Sequence, residues 1–215
     1  MARVKNGLLG MVTGKIGPLV VYSMHGKVYA RTTPSVVSGK QRSLAQQAQN
    51  YKLKLITGLL NSCTDFIKIG YRAKSITHNK TTHNLSQSYH LKHGVTGTFP
   101  EQQINWETVQ LSSGSLPAPE NLTVSLREQD ITVHWETKAK LTHDEANQQT
   151  MVLLFCTDTQ QVYSEIYKGS KKDRQQTLAL KTRTELGYTY HLYFCFKNLL
   201  DDEVSDSVYG GCLNL

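Results

Sequence analysis

YTYHLYFCF, Tyr188 to Phe196, decides how this chain is read. It holds no Gly or Pro, is rich in aromatic side chains, and alternates: Tyr190, Leu192, Phe194 and Phe196 fall on one side of an extended strand. The same kind of segment recurs around it. NLTVSL, DITVHWE, TMVLLFCT, QQVYSEIY and QQTLALK precede it and SDSVYGGCLNL follows, each bounded by turn-forming or charged residues. About seven short strands in roughly 100 residues predict an all-β, immunoglobulin-like sandwich.

The half before it reads differently. PLVVYSM and KVYART flank a turn at His25-Gly26, which predicts a β-hairpin. SLAQQAQNYKLKLITGLLN follows a loop. Ser43 and Gln46 match a capping box, and Leu44, Ala48, Tyr51, Leu55 and Leu59 recur at helical spacing, so a long amphipathic helix is expected. DFIKIGYR and TTHNLSQSYHLKH predict two shorter helices, the second stopping at Gly94. INWETVQLS alternates like a strand. The fold class expected is an α+β N-terminal domain of hairpin plus helices, followed by the all-β sandwich.

SSGSLPAPENL, 112–122, is rich in Ser, Gly and Pro and reads as a linker. Residues 1–112 hold 14 Lys and Arg against 3 Asp and Glu, and the remainder holds 10 against 14. The balance changes sign at the linker, so the domains are expected at 1–112 and 116–215. With 19% charged residues and no apolar run near the roughly 18 residues of a membrane span, an ordinary globule is expected. The N-terminus has a basic start but no cleavage-site pattern, and synthesis in the cytoplasm is expected.

Two resemblances sharpen this. LPAPENLTV (116–124), ITVHW (131–135), LGYTYHL (186–192) and SDSV (205–208) resemble a fibronectin type III module. That likeness implies a core Trp135 and a corner tyrosine at Tyr190, three residues after Gly187, although Thr184 and Leu186 depart from the pattern. The whole chain resembles a bacterial family of uncharacterised proteins of about this length. Gly7, Gly10 and Gly14-Lys15-Ile16-Gly17-Pro18, then Gln41-Arg42, Ser88-Tyr89-His90-Leu91-Lys92 and Thr96-Gly97-Thr98-Phe99-Pro100 carry that resemblance. It implies a shared fold and no activity.

The chemistry is mostly negative. Gly10-Met-Val-Thr-Gly14-Lys15-Ile16 falls one residue short of a phosphate loop and has Ile where the magnesium hydroxyl belongs. His78, His83, His90 and His93 crowd into sixteen residues, yet no Cys or carboxylate accompanies them, so a solvated helix is preferred over structural zinc. Cys63, Cys156, Cys195 and Cys212 form no CxxC pair and read as buried thiols, although Cys156 and Cys195 could bridge if their strands are neighbours. No nucleophile elbow, zinc-protease motif or meeting pair of carboxylates is seen. No enzyme, cofactor, metal or catalytic residue is expected.

What is left is interaction. The expected function is a non-enzymatic structural or interaction protein, a component of a larger assembly such as a particle, phage-like structure or surface complex. Its partner is then another protein or further copies of itself. The alternative is nucleic-acid or polyanion binding through the basic domain, with Lys15, Lys27, Tyr29, Arg31, Lys40 and Arg42 as the contact residues. Exposed apolar side chains on the hairpin would favour assembly. Cations gathered on one face would favour a polyanion.

Overall fold

The computed structural model describes residues 3–4, 12–24, 26–34, 42–127, 130–179 and 187–214. The chain divides into two compact units, 1–43 and 44–215. Among the described residues no helix is long and apolar enough to cross a membrane.

The first unit is one antiparallel sheet. Strands β1 (Arg3–Val4), β2 (Val12–Ile16), β3 (Leu19–Met24) and β4 (Lys27–Thr32) lie side by side in chain order. Gly17 and Pro18 form the two-residue turn between the paired Ile16 and Leu19. Gly17 takes φ 55°, as the first central position of a type II′ hairpin demands, and Pro18 supplies the restrained φ after it. The hairpin expected around His25-Gly26 is present, with Met24 paired to Lys27 and Gly26 at φ 74°. Gly14 and Lys15 lie within β2, so they belong to a ladder. Gly7 and Gly10 lie outside the described residues.

The second unit opens with helices α1 (Leu44–Ser62), α2 (Thr64–Gly70), α3 (Arg72–His78) and α4 (Thr82–His93). The Thr81 hydroxyl caps α4 by accepting from the Asn84 amide at 3.1 Å, and the helix stops at Gly94 as its sequence predicts. On α1 the buried residues are Ile56, Leu59 and Leu60, whereas Leu44 is 73% exposed. The core stripe therefore occupies the C-terminal half of that helix, not the whole Leu44-to-Leu59 row. A short hairpin of β5 (Val95–Thr96) and β6 (Gln103–Ile104) follows. The strand expected across INWETVQLS is only β6; Trp106–Thr108 forms a 3-10 turn.

All seven C-terminal strands are present: β7 (Glu120–Arg127), β8 (Asp130–Glu136), β9 (Gln149–Cys156), β10 (Val162–Ser170), β11 (Gln175–Ala179), β12 (Thr189–Lys197) and β13 (Val208–Asn214). A short helix, α5 (His143–Ala146), enters β9 behind a complete capping box of Thr142 and Glu145. The strands form a three-stranded sheet, β11-β8-β7, and a four-stranded sheet, β10-β9-β12-β13. One core lies between them. Ile131, Val133, Trp135 and Leu178 meet Val152, Leu154, Tyr190, Leu192, Phe194 and Phe196. The Trp135 indole N–H donates to the Lys171 carbonyl at 3.0 Å, so its one polar atom is satisfied.

The opposite face of β9 and β12 is buried too. Met151, Leu153, Phe155, Tyr193 and Cys195 share a second core with Ile56, Leu59, Leu60 and Cys63, with Phe66 and Ile67 of α2, and with Tyr71, Val109 and Leu111. The helices are thus the third layer of the strand-built unit. The boundary expected between 112 and 116 falls inside this unit, because the helices and β12 share one core.

The linker reading of Ser112–Gly114 is corrected with it. Ser112 and Ser113 are buried. The Ser112 hydroxyl donates to the Ser205 carbonyl at 2.8 Å, and Ser113 Oγ and the Gly114 amide both donate to Asp206 Oδ1 at 3.0 Å. A Cβ on Gly114 would stand 2.0 Å from the Val204 carbonyl oxygen. Small residues are there because the chain passes in contact with 204–206.

The cysteines are free thiols. Cys156 opposes Tyr190 and Cys195 opposes Met151, and the two point into different cores, so a Cys156–Cys195 bridge is ruled out by register.

Candidate interaction surface

The register of the first unit sorts its side chains. Lys15 pairs with Val20 and Val20 with Arg31; Tyr22 pairs with Tyr29, and Met24 with Lys27. Cross-strand partners share a face, and so do alternate residues along a strand. Lys15, Lys27, Tyr29 and Arg31 therefore stand on one face, with Tyr22 stacked on Tyr29 at 5.7 Å between ring centres and 22° between planes. The other face carries Ile16, Leu19, Val21, Val28 and Ala30. On it Ile16, Leu19 and Val28 are 48%, 43% and 51% exposed.

Four of the six residues chosen from sequence are thus brought together. Arg42 precedes α1 and stands outside the sheet, and Lys40 lies outside the described residues. Sequence alone sets Tyr22 and Tyr29 among these cations, but shows neither their pairing across the ladder nor the aliphatic face. The alternation of VYART and LVVYSM carried that signal once the turn was placed.

None of residues 12–24, 26–34 and 42–43 is buried. The residues described there enclose no interior of their own, and a lone amphipathic sheet is marginal unless something covers its apolar side. Residues 1–43 also hold seven Lys and Arg and no Asp or Glu. The second unit holds seventeen of each, so the whole formal charge of +7 belongs to the first.

The histidine cluster resolves into separate roles. His90 is buried in α4, where Nδ1 lies 2.7 Å from the Ser86 carbonyl and Nε2 accepts from the Gln110 amide at 3.1 Å. A carbonyl only accepts and an amide only donates, so the ring is held neutral with its proton on Nδ1. Burial drives its pKa down. His90 is a strut between α4 and the segment at 110. Among the described residues no three His, Cys, Asp or Glu side chains gather as metal ligands.

Comparison with known proteins places the whole chain. The model of a family described as "Family of unknown function (DUF6266)" matches residues 11–211. No curated protein matches. A solved structure titled "Myokine structure" is similar at 17% identity and TM-score 0.32, over 47% of this chain and 96% of that one.

Proposed function

We propose a non-enzymatic assembly role for this chain, which belongs to the DUF6266 family of unknown function. The observation that carries this reading is the two-faced sheet at 12–32, mainly aliphatic on one side and bearing Lys15, Lys27 and Arg31 among Val20, Tyr22, Met24 and Tyr29 on the other. The occupant we assign to the aliphatic side is a second copy of the same face. Two such sheets stack about 10 Å apart with side chains interdigitated, which is how sheets cover one another. Lys15, Lys27 and Arg31 then point outward on both copies, where their repulsion is weakest. Fully burying a Val, Leu or Ile contributes roughly 1.5–3 kcal/mol, and about half of that is still to be gained at Ile16, Leu19 and Val28. The seven C-terminal strands, in sheets of three and four around Trp135, support a fibronectin type III-like module, a scaffold that suits an assembly component.

Sedimentation of the full chain tests this. The wild type is expected to self-associate, and Leu19→Asp with Val28→Asp is expected to leave a monomer with unchanged circular dichroism. A wild type that stays monomeric at high concentration would overturn the reading.

The cationic face favours a second reading, binding of a polyanion, and it rests on the confinement of the net charge to residues 1–43. Three phosphate contacts from Lys15, Lys27 and Arg31 would give a log–log salt slope of about −2.7 on duplex DNA. Titration against random single- and double-stranded DNA should show that steepness, and Lys27→Glu with Arg31→Glu should abolish it. Absence of binding at low salt would dismiss it.

A further inference from the structure

A cleft of about 450 Å³ opens within the second unit between α3, α4 and the buried segment at 110–113. Local geometry explains what lines it. Lys74 and His78 are four apart on α3, and so share a face. Asn79 then adopts the left-handed conformation at φ 49°, and the Lys80 amide reaches back to the Ser75 carbonyl at 3.1 Å. This closes α3 in a Schellman-like turn that leaves Lys80 on the rim of the cleft. Lys92 and His93 come from the last turn of α4, and the His93 ring lies 5.0 Å from Tyr89.

The balance of charge is one-sided. Lys74, Lys80 and Lys92 face a single carboxylate, Asp206. That carboxylate is already engaged, since its Oδ1 accepts from both Ser113 and Gly114. Lys74 donates to the Ser113 hydroxyl, so the floor is a fixed polar network that leaves Lys80 and Lys92 as its two unanchored cations. The volume lies in the range of small-molecule sites and exceeds what an inorganic ion fills. Compact ammonium groups with hydroxyl and amide donors around them suit a phosphate dianion.

We propose that this cleft binds a small phosphorylated organic molecule, at a site separate from the sheet of the first unit. The test is calorimetric titration of the full chain, at constant ionic strength, with ribose 5-phosphate, inorganic phosphate and ribose. Ribose 5-phosphate should bind, inorganic phosphate more weakly, and ribose not measurably. Lys80→Ala with Lys92→Ala should weaken ribose 5-phosphate at least about tenfold. Both positions are exposed, and an unchanged melting curve checks the fold of the variant. Lys27→Glu with Arg31→Glu should leave this binding as it was, whatever becomes of DNA binding. The proposal is overturned if no phosphorylated probe binds, if ribose binds equally well, if the Lys80/Lys92 variant keeps wild-type affinity, or if the sheet variant loses it.

Discussion

His90 shows how a polar residue becomes structural. Each ring nitrogen has a backbone partner of fixed sense, with the Ser86 hydroxyl also 3.3 Å from Nδ1, and adding a proton to Nε2 would expel the Gln110 amide. His191 is held similarly: it stacks on Trp106 at 4.1 Å and its Nδ1 meets the Tyr209 hydroxyl at 2.8 Å, and burial brings its pKa down to about 4. In the unfolded chain an imidazole titrates near 6.5 (about the model-peptide value). The folded values are lower, so between those limits the unfolded state binds more protons. Stability is therefore full above pH ~6.5 and is lost as pH falls toward the folded values. Urea midpoints measured from pH 7 to pH 4 should decline across that window. His90→Phe should cost about 1–3 kcal/mol at pH 7, because the Gln110 amide loses its acceptor, and should flatten the acid limb. A midpoint indifferent to pH in the wild type would refute this. From sequence, four histidines in one segment gave no hint that one is buried; the sign of burial lay at Ser86 and His90, which are one turn apart and both fully enclosed.

At the scale of elements, β12 is the lesson. The strands were legible because aromatic and β-branched runs between turn residues have few other outcomes. The layers were not. Reading Tyr190, Leu192, Phe194 and Phe196 as the buried side was right, but the residues between them, His191, Tyr193 and Cys195, are no better suited to water. A strand apolar on both faces is covered on both, and here the helices cover the second face. The Ser-Gly-Pro composition of 112–122 pulled the boundary to the wrong place, since small residues serve a close backbone approach as well as a loop. It follows that residues 116–215 produced alone would bare Met151, Leu153, Phe155 and Tyr193. That fragment should aggregate or bind a hydrophobic dye, whereas 44–215 should stay monodisperse. Light scattering decides it, and a well-behaved 116–215 fragment would show the helices to be dispensable.

At the scale of the molecule, the two units differ in net charge as well as in packing. The 43-residue unit has cations and, among its described residues, no interior; the larger unit has two cores and no net charge. The charge asymmetry was visible in the sequence, but it was referred to a boundary some seventy residues too late (43 against 112), because α1 to α4 continue the Lys-rich composition with little acid to balance it. The two readings of the sheet are coupled at this scale. A face-to-face pair presents two cationic faces on one particle, so a polyanion gains from linked contacts. Val28→Asp leaves Lys27 and Arg31 in place, yet it should weaken DNA binding along with self-association.

The double burial of β12 also sets a timetable for biosynthesis. The helices emerge first, but neither core is complete until Tyr193 and its neighbours arrive, about 130 residues after Leu60. At a synthesis rate of roughly 5–20 residues per second, the nascent chain holds an uncovered helical layer for on the order of ten seconds. Through that interval it is a client for whatever shields apolar surface in the cell.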